Sequence, residues 1–428
     1  MLLLAEDGPR SFGRRVRLPQ DDIGQMIMID IKHKIYFDHA ATTPADKEVV
    51  QAMADFWSVK FGNPSSLHWA GQEAQSALIK ARGQVAEFFG SLPQEIIFTS
   101  GATESDNLAL RGVVLKAQQQ RPNKAIHIIT TKIEHHAILE TAHSLEKQSI
   151  DATYLSVDKQ GLVGLKDLEQ AIRPETILVS VMYVNNEVGT IQPIVAIGEL
   201  LAKINQERAQ QKLPKIIFHT DAVQAINYLD CNVKTLGVDL LSLSGHKIYG
   251  PKGVGVLYVR QRTPLERIQD GGPQEYNLRA GTHNVLGIVG LAEAIKRIKN
   301  LELRIKDTEK LRDDLVEGVL KNISDCQLNG SREDRVLNNA NFSFRGVEGE
   351  SLLIALDQVG IAVSTGSACA SRSLEPSHVL TAMGCTPDLA HSSLRLTLGK
   401  DNTQDEVGYF LQVLPEIIAR LRKISGSR

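Results

Sequence analysis

From residue 35 onward, short runs of β-branched and aromatic residues alternate with longer stretches whose apolar positions recur at helical spacing. The runs IYFD (35–38), EIIFTS (95–100), AIHIITT (125–131), TILVSVMYV (176–184), KIIFHTD (215–221), LLSLS (240–244) and GVLYV (255–259) predict strands. Several lack polar alternation, the mark of strands buried on both faces. Between them, segments 73–89 and 193–211 carry the helical period. This alternation predicts an α/β fold, a mostly parallel sheet with helices on both sides. A long charged amphipathic segment, 292–322, predicts a helix leading into a second unit. Strands are expected there near NFSF (341–344), IAVST (361–365) and LRLTL (394–398).

Composition narrows the class without changing this outline. At 428 residues the chain has room for one large α/β domain and a smaller one. A net charge of −2 gives no basic excess for neutralising phosphates, so direct nucleic-acid binding is not expected. No window approaches the ~18 uninterrupted apolar residues of a membrane span. Cys231, Cys326, Cys369 and Cys385 form no CxxC pair. A zinc ribbon and a disulfide framework are therefore not expected, and reduced thiols in a cytoplasmic setting are. Residues 1–30 mix Arg10, Arg14, Arg15 and Arg17 with Glu6, Asp7, Asp21 and Asp22. They read as a disordered extension or as a start codon placed ahead of the true one.

In parallel sheets, ligands collect at the carboxyl ends of strands, and there the informative residues fall. After EIIFTS comes a Gly-Ala-Thr turn (101–103) opening a helical stretch, which suits a phosphate or serves as a plain helix cap. Asp221 ends a hydrophobic strand, where an unpaired charge is costly, and so expects a cation such as a lysine, an arginine or a protonated ring nitrogen. Lys247 directly follows LLSLS and precedes a Gly-Pro turn, a setting for a desolvated, nucleophilic amine. The GxG at 253–255 is followed by a strand, which removes a Rossmann reading. His135 and His136 follow the AIHIITT strand. On an extended segment the two point to opposite faces, a poor metal pair, and no metal site is expected. One imidazole could instead stack on a flat ring. Phosphate turn, aspartate, lysine and histidine converge on pyridoxal 5'-phosphate.

Cys369 stands apart. In VSTGSACASRSLEPSHVL (363–380) it lies among Ser, Gly and Ala, which suits a thiol that reacts better than one that packs.

The stretches YFDHAATTP (36–44), FTSGATESDNLAL (98–110), EHHAIL (134–139), VNNEVGTIQ (184–192), HTDAVQ (219–224), SGHKIYGPKG (244–253), RAGTHN (279–284), TGSACASRSLEPSHVL (365–380) and AHSSLRLTLG (390–399) together resemble the cysteine desulfurases, in the class of the nitrogenase-associated and iron-sulfur-cluster enzymes. The resemblance implies pyridoxal phosphate fold type I, related to class-V aminotransferases. Its large domain, expected over 43–302, carries a mostly parallel seven-stranded sheet. A smaller α/β domain is expected from 31–42 together with 303–428.

By resemblance, Lys247 holds the cofactor and takes the substrate Cα proton, Asp221 holds the ring nitrogen, Gln224 the ring hydroxyl, and His135 stacks and shuttles protons. Ala102, Thr103, Ser244 and His246 receive the phosphate, with Thr282 reaching over from the second subunit of a homodimer. Asn186 and Arg395 orient the substrate L-cysteine, and Cys369 takes its sulfur as a persulfide. Arg372 and Arg395 are candidates to stabilise that thiolate. The sulfur then passes to an acceptor protein such as a cluster scaffold, for iron-sulfur cluster assembly or another thiolation. The chain ends at LRKISGSR, so docking through a long C-terminal tail is not expected. Alternatives on the same fold are a selenocysteine or cystine lyase and a non-catalytic sulfur-relay partner. Retention of Lys247, Asp221 and Cys369 argues against the last.

Overall fold

The computed structural model describes residues 34–298, 302–365 and 375–426. The expected extension over 1–30, Cys369 and Arg372 lie outside the described residues. Strands β1 (Ile35–Tyr36), β2 (Ile96–Thr99), β3 (His127–Thr131), β4 (Asp151–Leu155), β5 (Thr176–Ser180), β6 (Ile217–Asp221), β7 (Leu240–Ser244) and β8 (Gly255–Val259) come first along the chain. They are followed by β9 (Cys326–Leu328), β10 (Asn339–Phe344), β11 (Ile361–Ala362) and β12 (Ser393–Thr397).

Seven strands form one sheet in the order β2-β8-β7-β6-β5-β3-β4. The run from β7 through β4 is parallel, and β8 lies antiparallel to both β2 and β7. Because side chains alternate faces along a strand, neighbouring residues feed two cores. Phe98, Ile129, Val179, Phe218, Leu241 and Val256 pack on one face. Ile97, Ile128, Leu178, Ile217, Leu240 and Leu257 pack on the other. Apolar residues at both parities explain the uninterrupted apolar runs. Helices α1 (Lys47–Ser58), α2 (Trp69–Phe89), α3 (Ala102–Gln120) and α4 (His136–Glu146) begin the covering layers. Residues of α3 and α4 join the second face, while α2 and the helices Ile194–Gln210 and Val285–Ile298 join the first.

Two expectations change. The sheet gains β4, whose DATYL sequence places polar residues on an edge with one flanking strand. The run IYFD does not enter this sheet. Its β1 pairs in parallel with β11, and Phe37 is fully buried in a third core built from the C-terminal strands and the helices Glu302–Asn322 and Gln404–Ile424. The helical expectation over 292–322 falls on the helices Val285–Ile298 and Glu302–Asn322, with 299–301 outside the described residues.

A buried ion pair ties α2 to the loop that carries RAGTHN. Arg82 reaches Glu275 with both terminal nitrogens, and the Phe98 N–H donates to Glu275 Oε2 at 2.7 Å. His283 Nε2 lies 2.6 Å from Glu275 Oε1. Glu275, Tyr276 and Asn277 all have positive φ (44°, 55° and 65°), a left-handed run that needs such outside support. Glu275→Ala should lower unfolding free energy by about 3–5 kcal/mol, because it leaves the Arg82 charge buried without its partner. Urea denaturation checks this, and a loss below about 1 kcal/mol would contradict the role given to the pair.

Candidate active site

A cavity of about 630 Å³ opens where β5, β6 and β7 end and α3 begins. Asp221, the last residue of β6, is 7% exposed on its wall. Burial pushes its carboxyl up to about 6, against the opposing pull of the Val223 N–H and the Lys247 charge. That N–H donates to Asp221 Oδ1 at 2.9 Å. At pH 7 the group is therefore mostly ionised, in a place where an anion attracts a cationic partner. β7 runs parallel beside β6, with Asp221 opposite Ser242, and its chain continues into a single 3₁₀ turn, Gly245–Lys247. This topology delivers Lys247 to the same cavity. Its Nζ donates to the Ala40 carbonyl and, at 2.7 Å, to the Ala41 carbonyl.

The two histidines part company. His135 is the N-cap of α4 and His136 its first residue, so the extended-segment geometry expected of them does not apply. His135 lines the cavity; His136 packs against His378 with ring centroids 4.8 Å apart. Burial, then the charges of Lys247, His136 and His378, lower His135 to about 4. It is a neutral imidazole at pH 7. Its Nδ1 accepts the Ala137 N–H at 3.1 Å, which leaves the ring proton on Nε2.

At the far end, α3 starts with Gly101 as a cap that supplies no side-chain hydrogen bond. The first amides of this helix and its positive dipole end thus face Ala102, Thr103, Ser244 and His246 around one corner of the cavity. Small residues make the corner: a Cβ on Gly255 would sit 2.6 Å from Gly101 Cα. Burial, then Lys247 and Lys252, lower His246 to about 4. Glu104 also lines the cavity in this first turn, yet its anion is taken up by Arg279 at 2.8 Å and by the Ser100 N–H at 2.7 Å. These features suit a phosphate.

On the opposite wall, Arg395 is 3% exposed in β12. Its Nη2 donates to Asp38 Oδ1 and its Nη1 to the Asn186 carbonyl, both at 2.8 Å. Each terminal nitrogen keeps a second N–H, and Nε is buried without a partner among the described residues. Asn186 and Gln224 line the cavity too, the Gln224 amide donating to the Ala40 carbonyl at 3.0 Å. Thr282 is exposed and does not line this cavity. Ser364 exchanges backbone hydrogen bonds with Arg395, so the segment leading toward Cys369 leaves from beside the cavity. No group of three or more metal-binding side chains occurs among the described residues.

Sequence reasoning missed the acids behind this wall. Asp38, Asp106, Glu134 and Glu187 are not exposed, although each lies inside a quoted motif. Asp38, two residues past β1, carried a strand-end signal; Asp106 in α3 and Glu134 in a turn did not. Glu134 is fully buried, with Oε1 accepting the Thr131 hydroxyl and the Met182 N–H, both at 2.9 Å. Burial outweighs those bonds and pushes its carboxyl up to about 8, with the charge of Asp221 adding to the rise.

Residues 35–410 match the family model described as aminotransferase class-V. The chain is 50% identical over 396 residues to the cysteine desulfurase IscS of Dictyoglomus turgidum, covering 92% of this chain and 97% of that one. It is 50% identical over 392 residues to the IscS of Methanosarcina thermophila, covering 91% and 93%. Among solved structures, a NifS-like protein superposes with a TM-score of 0.83 at 39% identity, over 91% of this chain and 100% of that one. The structure of SspA in complex with cysteine does so with a TM-score of 0.74 at 37% identity, over 87% and 100%.

Because folded Glu134 holds a proton that the unfolded chain releases near its ordinary value, it costs stability as pH rises from about 5 to about 8. Glu134→Gln removes that dependence. Its unfolding free energy should gain on the parent chain by up to about 1.4 kcal/mol per pH unit in this window. Urea midpoints at several pH values read the difference. A gap that stays constant or closes as pH rises would mean that Glu134 is ionised in the fold.

Proposed function

The chain belongs to the class-V aminotransferase family and, within it, to the cysteine desulfurases, and from that premise we propose how its residues divide the work. The observation that carries the reading is the meeting of Lys247, Asp221, His135 and Arg395 with the uncapped start of α3 in one cavity. The fit to pyridoxal phosphate is good at each end: free amides and small residues at one, a buried carboxylate at the other. When bound, the cofactor supplies an electron sink that stabilises negative charge at the substrate Cα.

The amides of Ala102 and Thr103 with Ser244 and His246 would hold the phosphate, joined by Thr282 of a second copy of the chain. Asp221 would hold the ring nitrogen, Gln224 the ring hydroxyl, and His135 would stack on the ring. Lys247, now held by two backbone carbonyls, would hold the cofactor and take the substrate Cα proton. Arg395, steadied by Asp38 and the Asn186 carbonyl, offers its remaining N–H groups to the carboxylate of L-cysteine. Asn186 flanks it. The Cys369 thiolate would attack the substrate sulfur: the S–S bond forms as the Cβ–S bond breaks, and its electron pair goes to Cβ. Cβ would take a proton, with His135 Nε2 as donor, Lys247 would return its proton to Cα, and L-alanine would leave. The persulfide on Cys369 would be passed to an acceptor protein, for iron-sulfur cluster assembly or another thiolation.

Ser364 supports this assignment, since its bonds to Arg395 start the Cys369 segment at the substrate wall. Five residues of chain reach at most about 18 Å from that anchor. A homodimer is consistent with the exposed position of Thr282. The described residues contain no helix long and apolar enough to cross a membrane, which fits the cytoplasmic setting we assign.

Cys369→Ala should retain bound cofactor and still change its absorption spectrum on addition of L-cysteine. It should release no alanine and carry no sulfane sulfur, because the acceptor atom is gone. Cys231→Ala, Cys326→Ala and Cys385→Ala should each keep most turnover. Alanine formation by Cys369→Ala at the parent rate would remove the thiol from the mechanism.

Arg395→Lys tests the substrate wall. A lysine cannot engage Asp38, the Asn186 carbonyl and a carboxylate in one plane. KM for L-cysteine should rise at least about tenfold, the equivalent of one lost charged hydrogen bond. An unchanged KM would move carboxylate recognition to another residue.

A further inference from the structure

The cavity floor holds more carboxyl groups than this chemistry uses. Asp106, on the second turn of α3, is 1% exposed and lines the cavity beside Asp221. Its Oδ1 has no hydrogen-bond partner among the described residues. The ring nitrogen facing it, His219 Nε2, stands 3.6 Å away, beyond hydrogen-bond reach. That ring is already committed on both sides, to Ser180 Oγ at 2.9 Å and Ser242 Oγ at 3.0 Å. Sandwiched in the sheet, His219 is neutral, lowered to about 3 by burial. It therefore brings no positive charge to Asp106. The other titratable groups facing this spot are Asp221 at the end of β6 and Glu134 at the start of the turn into α4. Lys247 acts on Asp221. Two or three ionised carboxylates packed together out of water would each cost several kcal/mol.

We propose that Asp106 is a positioning residue that remains a neutral carboxylic acid, so that Asp221 carries the sole negative charge beneath the cofactor ring. This rests on the assignment of Asp221 to the ring nitrogen. Burial raises the Asp106 carboxyl well above the usual range, and the charges of Asp221 and Glu134 raise it further, while Ser242 pulls the other way. A second anion here would push protons onto Asp221 and blur its charge between two sites. With Asp106 and Glu134 both neutral, the field at the ring nitrogen comes from one fixed carboxylate. Ionisation of Asp106 at alkaline pH adds a second charge behind the first and raises the proton affinity of whatever Asp221 holds.

Infrared spectroscopy of the cofactor-loaded, full-length protein, with aspartate carboxyl carbons labelled with ¹³C, decides the matter. At pH 7.5 an isotope-sensitive carbonyl band of a protonated aspartic acid should be present, and Asp106→Asn should remove it. The parent protein's cofactor absorption should also show an alkaline transition that Asp106→Asn lacks. If Asp106→Asn does not fold, Asp106→Glu serves, because a glutamate side chain lies outside the aspartate label and the band is lost there as well. Absence of the band in the parent protein, or its persistence in Asp106→Asn or Asp106→Glu, would overturn the proposal. The band is read without turnover, so failure of the desulfurase reading would appear separately, as absent alanine formation with the band intact.

Discussion

One buried carboxylate at the end of a strand sets the terms for the rest of the site. Asp221 sits 7% exposed in a wall where charge is poorly solvated, so its environment must supply a cation or withdraw every competing anion. Both happen. The parallel pairing of β6 with β7 brings Lys247 to the same cavity after one short turn. The acids nearby are held neutral by burial or tied to arginines: Glu134 and Asp106 in the first way, Glu104 with Arg279 and Asp38 with Arg395 in the second. The histidines His135 and His246 are neutral as well. What remains is one anion, the amines of Lys247 and Lys252, one guanidinium and the positive end of α3. Those are the elements that a phosphorylated, ring-protonated cofactor and an amino-acid substrate require.

The sheet gives that arrangement its rigidity. Every residue of β5, β6 and β7 is buried, and both faces are filled, so the strand ends cannot shift without opening a core. Arg395 comes from β12, in a separate three-stranded sheet of order β12-β10-β9, and its pair with Asp38 spans 357 residues of sequence. Asp38 and Arg395 therefore join the segment after β1 to β12 across one edge of the cavity. The chain ahead of Cys369 starts from that same edge, at Ser364.

Much of this was legible in the sequence, for identifiable reasons. Strands buried on both faces announce themselves as unbroken apolar runs, and six of the seven proposed runs entered the large sheet. The edge strand β4 did not, because DATYL mixes polar and apolar residues, and IYFD was buried for a different core. Asp221 and Lys247 were found because charged residues directly after such runs are expensive to place. Asp106 and Glu134 were not, since a carboxylate in a helix or turn reads as solvated, and only the fold reveals that water is absent. The extended geometry expected of His135 and His136 did not hold, because a helix start cannot be told from an extended strand end by two residues. Cys369 is the converse case, visible in the sequence as a small-residue cysteine segment yet outside the described residues.

Lys247 is not alone on the cavity wall, since Lys252 lines it too, five residues on and past the Gly-Pro turn. Borohydride reduction of the cofactor-loaded protein, followed by peptide mapping by mass spectrometry, distinguishes them. The account predicts one reduced cofactor per chain, attached to Lys247. Attachment at Lys252, or a cofactor that reduction does not fix to the chain, would contradict it.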